Sequence, residues 1–204
     1  MNLEQWLALC LVCLLGAASP GPSLAVVLQA TLAGSRKAGI ATALGHASGV
    51  ALYALLTAGG LGVLVTRAPE LYTAIRLTGA IYLLFRAYGA WDKSHVDAST
   101  AASQPGGTGF VRGALVALLN PKLAIFMLAL FSQFLEPDAG WLYAATLIAT
   151  VGGIDALWYT AIVFTTSVHW IQRGLARRAL ALNRGFALLL AALATWVIAS
   201  TLLP

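Results

Sequence analysis

Six apolar runs, each near or above the length needed to cross a lipid bilayer, limit what this chain can fold into more than any other feature. They lie at about 4–39, 40–66, 70–91, 111–135, 141–168 and 185–203, against roughly 20 residues for a spanning helix. Backbone in hydrocarbon must satisfy its own N–H and C=O groups, so runs of this kind fold as helices. Charged residues make up only 9% of the 204 residues, where soluble domains carry roughly 25%. The expectation is an all-α membrane protein of six transmembrane helices, forming one membrane-embedded domain over 1–204 with no length left for a soluble one. The start, Met1-Asn2-Leu3-Glu4, has no basic n-region, and no small-residue cleavage site ends a short apolar core. The first run therefore reads as a retained helix, not a cleaved signal peptide.

The net charge of +5 does not mark a nucleic-acid binder, because the basic residues lie mostly between apolar runs and form no basic, aromatic-interleaved face. Their placement fixes an orientation instead. Arg36 and Lys37 follow the first run. Arg86, Lys93 and Arg112 flank or occupy the segment after the third. Arg173, Arg177, Arg178 and Arg184 follow the fifth, in a stretch read as a loop. The segments after the second and fourth runs hold only Arg67. The positive-inside rule then puts connections one, three and five in the cytoplasm and both termini on the periplasmic or external side. A Ser/Thr/Gly/Pro-rich linker, about 92–110, separates half one (about 1–91) from half two (about 111–204). Three helices per half reverse the direction of the second half, which is the arithmetic of an inverted repeat.

Each half opens on a run interrupted by proline. In the first it is Ser19-Pro20-Gly21-Pro22-Ser23. Each proline lacks an N–H and clashes with the carbonyl four residues back, here Gly16 and Ala18. In the second it is Asn120-Pro121-Lys122, where Pro121 frees the carbonyl of Ala117. A break in hydrocarbon must be repaired by protein, water or ligand, and broken membrane helices often hold binding sites. A proline kink satisfied by neighbouring helices is the blander reading. Lys122 places an ammonium at a depth costing at least about 2.5–3.5 kcal/mol on insertion scales, unless it snorkels. Asp155 is the one carboxylate deep in a run, and its expected partner is Lys122, a substrate ammonium or a proton. A purely structural Lys122–Asp155 pair is the alternative.

Together these residues suggest a zwitterion site. Helix N-termini exposed at Pro20, Gly21, Pro22 and Pro121 suit a carboxylate. Freed carbonyls and Asp155 suit an ammonium, and Ser23 and Asn120 offer neutral hydrogen bonds. His46, inside Gly45-His46-Ala47-Ser48-Gly49, reads equally as a proton relay or as a packed histidine, and the glycines around it suggest a close helix contact. Gln29, Tyr82, Gln133 and Tyr159 are second-rank candidates for a cavity wall, with helix bridging or packing as the plainer role. Cys10 and Cys13 have C-x-x-C spacing but no charged activator, so they read as packing residues. Neither a metal-ligand cluster nor a phosphate loop nor a catalytic triad spacing stands out, and no cofactor is expected.

The motifs resemble those of the LysE/RhtB family of bacterial amino-acid exporters. The matching residues are Ser19 through Ser23, Arg36-Lys37-Ala38-Gly39 leading into Gly45 through Gly49, Gly79-Ala80-Ile81-Tyr82-Leu83, Gly113 through Lys122, and Phe126 through Phe134. Ser132-Gln133-Phe134 stands where the family commonly has Pro-Gln-Phe, a departure that bears on the bend ending the fourth run. The resemblance implies a six-helix inner-membrane carrier, not an enzyme, that exports amino acids or close derivatives and is coupled to the proton motive force; Asp155 and His46, read from the residues themselves, are the candidates for proton antiport coupling. Asp155 alone gives no second anion for a cationic side chain, which leans towards neutral substrates. A homodimer through Gly59-Gly60-Leu61-Gly62 is left open. The competing readings are a passive channel or ion carrier, and a thiol-redox conduit, which would need cysteines in both halves, whereas the fourth run has none.

Overall fold

The computed structural model describes residues 1–19, 21–91, 109–135, 140–165 and 169–202. Pro20 and most of the linker lie outside them, as do the side chains of Pro121 and Lys122. The described residues form eight α-helices and one π-helical turn: α1 (Leu3–Ala18), α2 (Pro22–Gln29), the π-turn (Ala30–Gly34), α3 (Arg36–Arg67), α4 (Pro69–Trp91), α5 (Gly109–Leu118), α6 (Pro121–Phe134), α7 (Trp141–Thr165) and α8 (His169–Leu202).

Both proline motifs break their runs. α1 stops at Ala18 and α2 restarts with Gly21 as N-cap and Pro22 in its first turn, the position where a missing N–H costs nothing. The axes of α1 and of the α2 segment meet at 60°, and those of α5 and α6 at 66°. At its other end α1 is closed by a capping box in which Asn2 Oδ1 accepts from the Gln5 N–H at 2.8 Å and Gln5 Oε1 from the Asn2 N–H at 3.0 Å.

Three helices are each long and apolar enough to cross a membrane, and the count rises to five when each bent pair is taken as one span. The third run, expected to be the remaining span, forms α4 over 23 residues. That is about 35 Å of helix, but Arg76 and Arg86 lower its apolar character. The basic stretch before the sixth run, read as a loop, is helical instead, since α8 begins at His169 and runs for 34 residues. Its Gln-Arg-Gly-Leu-Ala-Arg-Arg-Ala-Leu-Ala sequence is rich in strong helix formers, and propensity outweighs charge there. Large apolar side chains such as Leu55, Leu56, Ile81, Phe85 and Leu157 are more than half exposed, an outer surface suited to lipid.

The helix order repeats. A broken helix is followed by two long ones, α1–α2 then α3 and α4, and α5–α6 then α7 and α8. Each long helix packs on its counterpart, α3 against α7 and α4 against α8. Lipid supplies no hydrophobic drive for helix association, so close packing at small residues must do so. The extensive α3–α5 contact is of this kind. A Cβ on Gly45 would lie 1.9 Å from the Phe110 carbonyl oxygen, and one on Gly113 2.0 Å from that of Thr42. The close contact suggested by the glycines flanking His46 is thus found against α5.

Gly113→Ala should force α3 and α5 apart and lower the apparent melting temperature in detergent by several degrees. Gly60→Ala, where a new Cβ meets nothing within 4 Å, should leave it unchanged.

Candidate functional site

The two breaks open onto one cavity of about 140 Å³. A water needs about 10–15 Å³ on this measure, so the space suits a small molecule or on the order of ten waters. Ser19, Gly21, Pro22 and Ser23 line it from the first break, and Asn120 and Leu123 from the second. By helical rise, Ser19, Arg86, Asn120 and Asp155 all lie about 21–26 Å from the helix ends at Leu3, Pro69, Phe134 and Trp141 respectively. Those ends lie close together, because the Tyr72 hydroxyl donates to the carbonyls of Ser132 and Leu135, the Tyr143 hydroxyl donates to that of Phe134, and Leu3 shares a groove with Leu142 and Tyr143.

At the second break the freed backbone carbonyls find protein partners. Ala117, whose usual donor Pro121 removes, accepts from the Asn120 N–H at 3.2 Å. The carbonyl of Leu118 accepts from the Tyr53 hydroxyl on α3. At the first break Ser19 Oγ donates to Asn183 Oδ1 on α8 at 2.7 Å. Each break is therefore stitched to a helix from the other half.

At the cavity wall a hydrogen-bonded chain crosses three helices. His46 Nδ1 lies 2.8 Å from Asp155 Oδ2, and His46 Nε2 lies 2.8 Å from Ser23 Oγ. His46 is 2% exposed and Asp155 8%, and the Tyr159 ring meets the imidazole edge-on at 5.2 Å between centroids. Gly152, one turn before Asp155, lets α7 approach α3, since a Cβ there would sit 3.1 Å from that of Ala51. An ionised Asp155 holds the proton on Nδ1, which leaves Nε2 to accept from the Ser23 hydroxyl. If the imidazole gains a second proton both nitrogens donate, and Ser23 must turn its own hydrogen elsewhere.

The cavity gathers Gly21, Pro22, Ser23, His46, Asn120, Asp155 and Tyr159 from the sequence candidates. Among the described side chains Asp155 pairs with His46, while Lys122, its expected protein partner, has its side chain outside them. The 109 residues between them hide the pairing from any local motif. Gln29, Tyr82 and Gln133 do not line the cavity. Gln29 accepts instead from Arg112 at 2.7 Å and ties α2 to α5. Gln133 is folded onto the carbonyls of Arg76 and Ala129 and onto Ser132. Pro20 and the side chains of Pro121 and Lys122 lie outside the described residues. Arg86, read from the sequence only as flanking a basic segment, is a wall residue. Its signal was an arginine five residues inside the end of an apolar helix. Cys10 and Cys13 are both free thiols and face different ways, Cys13 into the cavity and Cys10 onto an outer groove with Leu7, Leu11 and Leu14.

The profile of the LysE type translocators matches residues 14–201. The chain belongs to the LysE type translocator family. The uncharacterized membrane protein YahN of Escherichia coli is 32% identical, with 78% of this chain and 73% of that protein aligned. The threonine efflux protein of Escherichia coli is 29% identical over 87% of this chain and 89% of its own. The homoserine/homoserine lactone efflux protein of Salmonella typhimurium is 30% identical over 68% of each chain. No solved structure matches the chain. This LysE-family chain thus sets its cavity at both proline breaks.

Tyr53→Phe should orphan the Leu118 carbonyl at the second break. Leaving a buried acceptor unpaired costs about 1–3 kcal/mol, so thermal unfolding in detergent should come several degrees earlier. Tyr88→Phe, at a side chain 84% exposed, should not move it.

Proposed function

We propose that the protein is a secondary transporter exporting small neutral amino acids or close derivatives across the bacterial inner membrane in exchange for protons. The observation that carries this reading is the buried Ser23–His46–Asp155 chain on the wall of a cavity built at two helix breaks. Relatives named for threonine and homoserine efflux support the substrate class. In this reading α4 is the sixth span, the halves are inverted repeats and both termini face outward. A homodimer would use the open face at Gly59 and Gly60, where an added Cβ meets nothing.

The chain of hydrogen bonds gives antiport a physical basis. With His46 neutral, Asp155 keeps a net negative charge beside the cavity, and a substrate ammonium is held by it. At about 4 Å and an effective dielectric near 20 that attraction is on the order of 4 kcal/mol, close to a thousandfold in occupancy. A proton taken up by His46 converts Asp155 and the imidazole into a neutral pair and removes most of that attraction. The same proton turns the Ser23 hydroxyl away from His46. Substrate ammonium and proton therefore compete for one carboxylate, and a carrier that binds either but not both at a time exchanges them. The Ser–His–Asp order also serves acyl transfer in hydrolases; membership of a translocator family favours the proton relay.

His46→Gln retains hydrogen-bonding groups but cannot titrate. In proteoliposomes it should still exchange labelled L-threonine against unlabelled L-threonine, within a few-fold of wild type, while a pH gradient no longer drives net accumulation. Asp155→Asn should lose at least tenfold in apparent affinity as well. Gradient-driven accumulation at the wild-type level by both variants would remove this chain from the coupling mechanism.

A further inference from the structure

We infer that Arg86 is the carboxylate-binding residue of the cavity and that it restricts the substrate to molecules with a free α-carboxylate. The inference rests on the amino-acid transport reading above and adds to it the second pole of the site.

Arg86 stands on α4, half-buried, in the wall of the same cavity as Asp155. Among the described residues no side chain or carbonyl hydrogen-bonds its guanidinium and no carboxylate lies within ion-pair distance. Two other described arginines are engaged, while Arg76 has a buried Nε without a partner but does not line the cavity. Arg112 donates to Gln29, and Arg184 donates to the Trp91 carbonyl and lies over the Trp91 ring. An arginine turned into the interior of a membrane helix bundle is costly, and such residues mark substrate or ion paths. Asp155 could have offset that charge directly. It pairs with His46 instead, so the cavity holds a cation and an anion that do not meet.

A cavity of about 140 Å³ with separated opposite charges has the electrostatic form of a zwitterion host. The planar guanidinium fork fits a carboxylate with two parallel hydrogen bonds, a match that a lysine ammonium cannot make. The start of α6 borders the same space at Asn120 and adds partial positive charge to it. The α-carboxylate belongs on Arg86 and the α-ammonium on the Ser23–His46–Asp155 chain. An ester, an amide or a decarboxylated amine leaves the guanidinium without its anion, as does a lactone, which would set this chain apart from the relative named for homoserine/homoserine lactone efflux; discrimination of that kind is large because a charged group is left unpaired.

The test is exchange of labelled L-threonine in proteoliposomes, with L-threonine, L-threonine amide and L-threonine methyl ester as competitors, for the wild type, Arg86→Lys and Arg86→Gln. Each protein is first shown to be monodisperse. Wild type should prefer the free acid over the amide and the ester by at least a hundredfold. Arg86→Gln should need at least tenfold more L-threonine for half-maximal exchange and lose most of the preference, with Arg86→Lys between them. If Arg86→Gln discriminates as wild type does, Arg86 does not read the carboxylate although the transport reading stands. Should Arg86→Gln fail to fold, equal competition by the amide and the free acid in wild type alone overturns the inference. No exchange of L-threonine or any other amino acid by folded wild type overturns the transport reading itself, and the inference with it.

Discussion

Everything at the centre of this protein depends on one imidazole held at both nitrogens inside a membrane. His46 lies 2.8 Å from Asp155 on one side and 2.8 Å from Ser23 on the other. In hydrocarbon a lone carboxylate is expensive, and a half-satisfied polar network is worse than none. The imidazole lessens both costs, since it shares a hydrogen with Asp155 and takes one from Ser23. It also joins α2, α3 and α7, so the ends of the chain can stay in register only if these helices keep their spacing. The glycines set that spacing. Gly45, Gly49 and Gly113 let α5 lie against α3, and Gly152 lets α7 do so on another face.

A membrane helix is broken only where something repairs it. Here Tyr53 repairs the Leu118 carbonyl at the second break and Asn183 holds the Ser19 side chain at the first, and both partners come from the opposite half of the chain. The two halves are consequently bound to each other at the points where each is weakest. The cavity lies at that junction, walled by residues of both broken helices and of α3, α4, α7 and α8. A movement of one half against the other would have to break or remake these few hydrogen bonds.

Much of this was legible in the sequence, for physical reasons. The length of the runs and the proline chemistry set the breaks within a residue or so, at Ala18 and Pro22 and at Leu118 and Pro121. Asp155 stood out because a carboxylate in an apolar run needs a reason. The glycines beside His46 announced a close contact. What stayed hidden depended on packing. His46 and Asp155 are 109 residues apart, and only the α3–α7 contact brings them together. Arg86 looked like the basic flank of a connection because hydropathy does not reveal which face of α4 turns inward. Gln29, Tyr82 and Gln133 were polar residues in apolar helices with the right composition for a cavity, yet Arg112 and the Arg76 carbonyl, from other helices, engage the two glutamines. The basic stretch before the sixth run was read by charge, and its helix propensity prevailed.

The central claim is that substrate ammonium and a proton compete for Asp155. Calorimetric titration of L-threonine, or of whichever neutral amino acid exchanges, tests it most directly when done in two buffers of different ionisation enthalpy between about pH 5 and 8, where histidine titrates. The account predicts that the heat of binding depends on the buffer because substrate displaces a proton from the Ser23–His46–Asp155 chain, with release greatest on the acidic side. Equal heats in both buffers across that range, with binding evident, would contradict it.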